Sequence, residues 1–301
     1  MNYYNEIKNE LINNEAYKKV KDYSKNRNDL MTYYNVGKLI VEAQGGEERA
    51  KYGDGLIKEY SKRLSNELGK GYSTRSLKNM RKFYLFQKGQ PLAAQLTWTH
   101  YTILLSLKTQ NEINYYTNLI SKYNLSKREL QTKIKNKEYD RLDEETKNKL
   151  IIQNEGTSIK DFIKHPIIIQ NKYNYEEISE KILKQLILED IQGFMKELGD
   201  GFSFIGSEYK IKLGDNYNYI DILLYNIKYS CYVVLELKVT ELRKEHIGQI
   251  QMYMNYIDKN VKNINQDKTI GIIICKKDNH FVMEYCSDER IYRTTYELVN
   301  I

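Results

Sequence analysis

The chain has 301 residues, of which 29% are charged, and its formal net charge is +7. That length leaves room for two domains, each with a sizeable core. No apolar run approaches the roughly 20 residues that a membrane span requires, so we expect no membrane association. Three cysteines without CxxC spacing predict reduced thiols in a cytoplasmic protein, and they indicate neither a disulfide framework nor a zinc site.

The charge is divided unevenly along the chain. Residues 1–150 contain 28 Lys and Arg against 18 Asp and Glu, which gives a net charge of +10. Residues 151–301 contain 19 against 22, which gives −3. A basic half is typical of a polyanion-binding domain, so the sequence predicts DNA as the partner of the N-terminal half.

The N-terminal half is predicted to be helical, and its most basic segment begins near residue 68. Residues 3–66 show helical spacing of apolar residues, interrupted by glycines at 45–46. From Leu68 to Asn111 there is no acidic residue. The same segment contains seven cations: Lys70, Arg75, Lys78, Arg81, Lys82, Lys88 and Lys108.

The helix that we expect after Ser73, a plausible N-cap, has two distinct faces. Leu77, Met80 and Tyr84 form an apolar stripe, and the opposite stripe is polar and cationic. A Gly-containing turn precedes this helix, so we expect a helix-turn-helix-like unit. The alternative is an ordinary solvated helix face. The residues that we predict to contact DNA are Lys70, Arg75, Lys78, Asn79, Arg81 and Lys82.

The domain boundary is predicted from a helix start and a polar segment. Ser126 and Glu129 have the spacing of a capping box, so a helix begins there. We expect that helix to end within residues 138–150, and the polar segment 153–158 to separate two domains, 1–155 and 156–301. Residues 162–169 are expected to form the join.

The second domain is predicted to have an α-β-β-β-α-β order, which makes the whole chain α+β. A helix is expected at 176–199, strands at about 202–213, 218–225 and 231–239, and a helix at 244–258. The apolar run 269–275 follows that helix and therefore predicts a buried parallel strand in a mixed sheet. The segment 281–286, FVMEYC, would supply a last strand.

Charged residues lie at the ends of otherwise apolar strands in this domain. Asp221 lies within YIDILLY, and Glu236 and Lys238 end CYVVLELK, where the alternation of side chains puts them on one face. A four-residue turn at 227–230 would place Asp221 directly across from Glu236. Two carboxylates that close repel each other unless a cation lies between them, and oxygen donors suit Mg²⁺ or Mn²⁺. An ion-pair network with Lys238 is the alternative.

The D-x(14)-E-x-K spacing resembles the PD-(D/E)xK nuclease superfamily. With GFSFIG at 201–206, Gly248-Gln249, Tyr253 and the basic segment 50–84, the chain resembles the bacterial YhcG-like family. The resemblance implies a restriction-endonuclease-like domain in which Gln249 and Tyr253 lie near the catalytic residues. It also implies an acid on the first core helix, for which Glu180 and Glu189 both remain open.

Three functions are compatible with these patterns. The first is a Mg²⁺-dependent DNA endonuclease in which Asp221, Glu236 and the backbone carbonyl of Leu237 hold the metal and Lys238 acts on the attacking water. The others are a DNA-binding protein with an inactive nuclease fold and a protein–protein adaptor. By resemblance, the first function would be linked to restriction, defence or DNA repair, with a homodimer and restriction or defence partners left open.

Overall fold

The computed structural model describes residues 3–18, 25–46, 54–69, 71–88, 96–153, 158–286 and 288–300. The chain divides into two compact units, Met1–Lys135 and Asn136–Ile301. The boundary expected between 155 and 156 lies outside the described residues, and residues 136–153 belong to the second unit. The reason is a buried contact: the Arg141 guanidinium pairs with Glu197 and donates to the carbonyl of Pro166 over 2.6 Å.

The first unit is built from helices. They are α1 Tyr3–Lys18, α2 Lys25–Ala43, α3 Asp54–Leu68, α4 Thr74–Gln87, α5 Trp98–Leu104, α6 Gln110–Tyr123 and α7 Lys127–Lys135. Helices α2 and α4 approach each other closely, since a Cβ added at Gly37 would lie 2.1 Å from the carbonyl oxygen of Met80. Glycine at position 37 therefore allows these two helices to pack together.

Two predicted helix starts are present in the first unit. Ser73 Oγ accepts the backbone N–H of Ser76 over 3.2 Å, which caps α4. Glu129 accepts the N–H of Ser126 over 2.8 Å, and Ser126 Oγ accepts the N–H of Glu129 over 3.3 Å, so the capping box forms. Five residues, 69–73, separate the end of α3 from the start of α4, and residue 70 among them lies outside the described residues.

The second unit is a mixed six-stranded sheet with helices. Its elements are α8 Glu144–Gln153, β1 Ile167–Asn171, α9 Glu180–Glu189, α10 Ile191–Leu198, β2 Phe202–Leu213, β3 Asn216–Asn226, β4 Cys231–Glu241, α11 Lys244–Asn260, β5 Ile270–Lys277, α12 His280–Glu284 and β6 Ile291–Asn300. The strand order is β1-β6-β5-β4-β3-β2, parallel from β1 to β4 and antiparallel from β4 to β2.

The two faces of the sheet carry separate cores. On one face, Leu235 and Leu237 of β4 pack in a cluster with side chains of α9 and α10. On the other face, Val234 packs in a cluster with Ile250 and Met254 of α11. The strand β5 is buried from Ile270 to Cys275 because both faces are covered, as its apolar run predicts.

The structure corrects four predicted elements. The helix expected at 176–199 is broken at Asp190, whose side chain accepts the N–H of Gly193 and starts α10. The segment 281–286 is not a strand, since its first residues belong to α12; the last strand is β6. The helix that was expected to end within residues 138–150 is α7, which ends earlier, at Lys135, and a separate helix, α8, begins within that range at Glu144. The expected join contains β1, which pairs with β6.

Across the described ranges, no helix combines the length and the apolar character that crossing a membrane would require.

Candidate active site between strands β3 and β4

The loop between β3 and β4 has the predicted length and sets the predicted register. Strand β3 ends at Asn226 and β4 begins at Cys231, and these two residues are partners. The paired residues continue to Ile222 and Leu235. The next positions along the strands are Asp221 and Glu236, so the two carboxylates face each other across the strands.

At this point the two carboxylates, and not backbone carbonyls, accept hydrogen bonds from the backbone of the neighbouring strand. The paired residues of β3 and β4 end at Ile222–Leu235. Beyond that pair, the N–H of Asp221 donates to Glu236 Oε1 over 3.4 Å, and the N–H of Leu237 donates to Asp221 Oδ2 over 3.0 Å. The carboxylates therefore satisfy amide groups that a regular antiparallel pair would satisfy with carbonyls.

An irregularity in β2 lies beside Asp221. Glu208 falls between the paired residues Ser207–Ile222 and Tyr209–Ile220, which places it opposite Asp221. Its φ of 49° lies in the left-handed region, which a non-glycine residue seldom adopts. The strained residue therefore lies next to the carboxylate pair, as is common at functional sites.

Lys184 on α9 joins these acids, and the sequence interpretation missed it. Its Nζ lies 2.9 Å from Glu208 Oε1 and 3.3 Å from Asp221 Oδ1. Burial lowers the pKa of Lys184, but the hydrogen bond to Glu208 and the charge of Asp221 outweigh burial and raise it. The sequence contained one indication that Lys184 could reach the site: this lysine is next to Leu183, which is buried, on a helix with a strong apolar face.

Glu236 is the most perturbed carboxyl of this site. Its side chain is 2% exposed, and its Oε2 lies 3.2 Å from Lys238 Nζ. Burial and, next, the negative charge of Asp221 raise the pKa of Glu236 to about 7, although Lys238 opposes them. Glu236 and Lys238 thus share one strand face, as predicted, and they form a direct ion pair.

The two acids of the first core helix have different surroundings. Glu189 accepts a hydrogen bond from Gln185 over 2.9 Å, and it raises the pKa of Tyr173 by hydrogen bonding. Glu180 lies four residues before Lys184, on the same helix face. Its charge raises the pKa of His246, whose net shift is downward because burial and then the Lys238 charge dominate.

Gln249 and Tyr253 interact with each other on α11. Gln249 Nε2 donates to the Tyr253 hydroxyl over 3.1 Å, which fits two residues one helical turn apart. Tyr253 is buried in the core under α11. Neither side chain hydrogen-bonds Asp221, Glu236 or Lys238 within the described part of the chain, so their predicted catalytic proximity stays a prediction.

The donor atoms of Asp221 and Glu236 suit a hard divalent cation. Mg²⁺ is usually held by one or two carboxylates together with waters, so this pair is sufficient for it. A cation would also relieve the repulsion that raises the pKa of Glu236. Over the ranges that the structure describes, no group of three or more His, Cys, Asp or Glu side chains forms a metal cluster.

Five of the six residues predicted to contact DNA lie on α4. Arg75 and Lys82 are exposed, and Lys78, Asn79 and Arg81 are half-buried. Leu77 and Met80 point into the core, as the predicted two-faced pattern requires. Lys70 lies outside the described residues.

Family comparisons match the N-terminal and C-terminal parts of the chain to two separate domains. Residues 160–299 match the YhcG PDDEXK nuclease domain, which defines the sheet-containing unit as a nuclease domain of that class. Residues 7–141 match the DUF1016 N-terminal domain. The two matches together span most of the chain, which therefore belongs to the YhcG-like family.

One curated relative matches over most of its length. It is "Putative nuclease YhcG" of Escherichia coli (strain K12), which is 28% identical and aligns with 82% of this chain and 77% of its own.

Two solved structures are also similar over part of the chain. A repair endonuclease from Pyrococcus abyssi is 19% identical over 40% of this chain and 48% of its own, with a TM-score of 0.29. An EndoMS–dsDNA complex is 20% identical over 40% and 47%, with a TM-score of 0.31. The aligned part is less than half of each of those chains.

Proposed function

We propose that this protein is a Mg²⁺-dependent DNA endonuclease that hydrolyses phosphodiester bonds at the carboxylate pair between β3 and β4. The observation that carries the proposal is the end of the β3–β4 ladder, where the carboxylates of Asp221 and Glu236 hydrogen-bond the diverging strands. Burial and then the charge of Asp221 raise the pKa of Glu236 to about 7, so a divalent cation bound by the two carboxylates would favour the ionised form of Glu236. Mn²⁺ has the same preference for oxygen ligands and is the alternative metal.

The side chains of this site would divide the work. Asp221, Glu236 and the backbone carbonyl of Leu237 would hold the metal, which when bound supplies positive charge for the scissile phosphate and favours ionisation of the attacking water. Lys238 would orient that water and offset the negative charge that develops on the phosphate. Gln249 would bind phosphate or order Lys238, and Tyr253 would hold the Gln249 amide in place.

Glu180 is our candidate for the acid of the first core helix. Glu180 shares a helix face with Lys184, and Lys184 contacts Asp221. The charge of Glu180 also acts on His246, whose pKa is affected by Lys238 as well. Glu189 is engaged with Gln185 instead. The surroundings of the two acids therefore favour Glu180.

The N-terminal unit would supply DNA affinity. Its cationic α4 face and the 44-residue segment without an acid support this assignment. The proposed setting is restriction, defence or DNA repair, in the cytoplasm, with a homodimer or partners from those systems left open. These assignments rest on the family resemblance and on charge.

One observation favours the second candidate, a DNA-binding protein with an inactive nuclease fold. Each carboxylate already has a lysine partner, Lys184 for Asp221 and Lys238 for Glu236. In that case the acids and lysines form an ion-pair network at the end of the strands, and removing Glu236 would leave Lys238 without its carboxylate, whereas Lys184 would keep Glu208 if Asp221 were removed.

Cleavage of plasmid DNA by the full chain tests the proposal. Wild-type protein should nick or linearise the plasmid in Mg²⁺ and leave it intact in EDTA. Lys238→Ala should keep the fold and the stabilisation by Mg²⁺ but lose cleavage, because the variant retains both metal ligands. Glu241→Gln, on the same strand with an exposed Lys277 partner, is the matched control and should cut normally. Plasmid that stays intact with wild type in Mg²⁺ and in Mn²⁺ would support the inactive fold.

A further inference from the structure

An exposed, basic and aromatic surface extends from the carboxylate pair along the β2–β3 hairpin. We call it the hairpin face and define it by Lys210, Lys212, Tyr217 and Tyr219. All four side chains are exposed, and Tyr217 and Tyr219 retain 55% and 53% of their accessible surface. Such exposure of two neighbouring tyrosines on a regular hairpin calls for a physical explanation.

The strand register puts these side chains on one side of the hairpin. Lys210 pairs with Tyr219, and Lys212 pairs with Tyr217. The alternate residues of β2 point the other way, since Ile211 is buried in the core under α11. Glu208 lies two residues before Lys210 and opposite Asp221, and both of these acids contact Lys184. The hairpin face is therefore continuous with the candidate active site.

The spacing along β3 suits a nucleic acid strand. Tyr219 is two residues from Asp221, and Tyr217 is four residues from it, which correspond to about 7 Å and about 14 Å along a strand. A polynucleotide whose phosphate lies at the carboxylate pair would then carry its next nucleotides across both rings.

The contacts of the lysines support a nucleic acid occupant over an apolar protein partner. Lys210 Nζ lies 3.8 Å from the centroid of the Tyr217 ring, so a positive charge lies against that aromatic surface. Among the described residues, Tyr219 has no ring partner and its hydroxyl no hydrogen bond. Cations interleaved with exposed aromatic faces are the pattern by which proteins bind single strands, with phosphates on the cations and bases stacked on the rings.

We propose, on the basis of the proposed nuclease function, that the hairpin face binds unpaired bases next to the scissile phosphate. The substrate class is then DNA with a single-stranded section at the cleavage point, such as a branched or flapped duplex. In an intact duplex the faces of the bases are stacked on one another and cannot be reached by Tyr217 and Tyr219. Lys210 and Lys212 contribute through phosphate and do not distinguish the bases.

The test compares two oligonucleotides that share a backbone but differ in bases. Full-length wild-type protein and the Tyr217→Leu/Tyr219→Leu variant are titrated in EDTA with a fluorescent oligothymidylate and with an abasic strand of equal length. The variant should lose tenfold or more in affinity for oligothymidylate, since stacking on one ring is worth about tenfold. Its affinity for the abasic strand should stay within about twofold of wild type.

Controls separate the inference from a general defect. Tyr285→Leu removes a tyrosine that is 82% exposed on another element, and it should change neither affinity. Both proteins should also keep the wild-type melting temperature and oligomeric state. An equal loss on both strands, or no loss on oligothymidylate, would overturn the proposal. A changed oligomeric state with unchanged DNA affinity would instead make the hairpin face a self-association surface, and would equally overturn it.

The same proteins distinguish this inference from the proposed function. If wild type cleaves plasmid in Mg²⁺ and the double variant binds oligothymidylate normally, the inference about bases fails and the nuclease assignment stands. If wild type cleaves neither plasmid nor a flapped duplex, the nuclease assignment itself fails. We expect wild type to cut a flapped duplex at least tenfold faster than its fully paired counterpart. In the double variant this difference should be abolished.

Discussion

Replacing Glu236 by Gln should make the metal-free protein more stable at high pH. Glutamine has nearly the shape of a protonated glutamic acid, so the substitution keeps the neutral form of the side chain at every pH. The pKa of Glu236 is raised from 4.5 to about 7, with burial and then the charge of Asp221 as causes. The native protein therefore binds this proton more tightly than the unfolded chain does.

The sign and the size of the effect follow from proton linkage. Below pH 4.5 the carboxyl is protonated in both states and has no effect on the free energy of unfolding. Between pH 4.5 and 7 only the native state keeps the proton, so stability falls as pH rises, and above pH 7 the loss is complete. The pKa difference corresponds to roughly 3 kcal/mol, most of which appears between pH 5 and pH 8.

The assay is denaturant unfolding of wild type and Glu236→Gln in EDTA at pH 5 and pH 8. The advantage of the variant over wild type should grow by roughly 2–3 kcal/mol between the two pH values. Subtracting wild type from the variant at each pH cancels the groups that titrate alike in both proteins, and comparing the two pH values cancels any constant effect of the amide on Lys238. Glu241→Gln is the control and should show no pH-dependent change of this size.

Mg²⁺ should reverse the comparison at pH 8. A cation that binds only the native state raises the wild-type stability by about 4.1 kcal/mol at 1,000 times its dissociation constant, which exceeds the roughly 3 kcal/mol advantage of the variant, and the variant lacks one ligand. If the advantage of Glu236→Gln is the same at pH 5 and pH 8, the pKa of Glu236 is not raised in the native protein. If neither Mg²⁺ nor Mn²⁺ changes the stability of the wild-type protein, the carboxylate pair is not a metal site.

Three further predictions concern other parts of the chain. Asp221→Asn should abolish plasmid cleavage and, because it removes a negative charge, should lower the pKa of the neighbouring carboxyl; an unchanged pH dependence of unfolding would contradict this. Replacing Arg75, Lys78 and Lys82 with Ala should weaken duplex binding and reduce the salt slope by up to about 0.9 for each phosphate that is no longer neutralised, so an unchanged slope in fluorescence anisotropy would refute the α4 face. Glu129→Ala should cost on the order of 1 kcal/mol in thermal unfolding without affecting cleavage, since it breaks only half of a capping box.

Local rules predicted the features that depend on neighbours in sequence. The four-residue loop before Cys231 sets the register of β3 and β4, and the carboxylates of Asp221 and Glu236 face each other as a result. The hydroxyl of Ser73 caps α4 through a residue only three positions away. Such features are encoded within a few residues and need no knowledge of the remaining chain.

The break of the predicted helix at Asp190 depends on Gly193, three residues away, but other features that the sequence did not reveal depend on partners that are distant in sequence. Strand β1 is five residues long and pairs with β6 about 130 residues later, so its local pattern carried little information. The segment after Asn279 has apolar residues typical of a strand, but it lies outside the sheet, and Phe281 is 72% exposed in α12. Arg141 belongs to the second unit because of a buried pair with Glu197 that no local pattern indicates.

By itself the sequence determined the α+β class, the basic and acidic halves, and the identity and register of the carboxylate pair with its following lysine. These depend on composition, periodicity and loop length. Only the tertiary structure decided that Lys184 joins Asp221 and Glu208, that burial raises the pKa of Glu236 to about 7, and that the hairpin face stays open. Burial and long-range charge depend on which distant elements cover a residue, and that information exists only once the chain has folded.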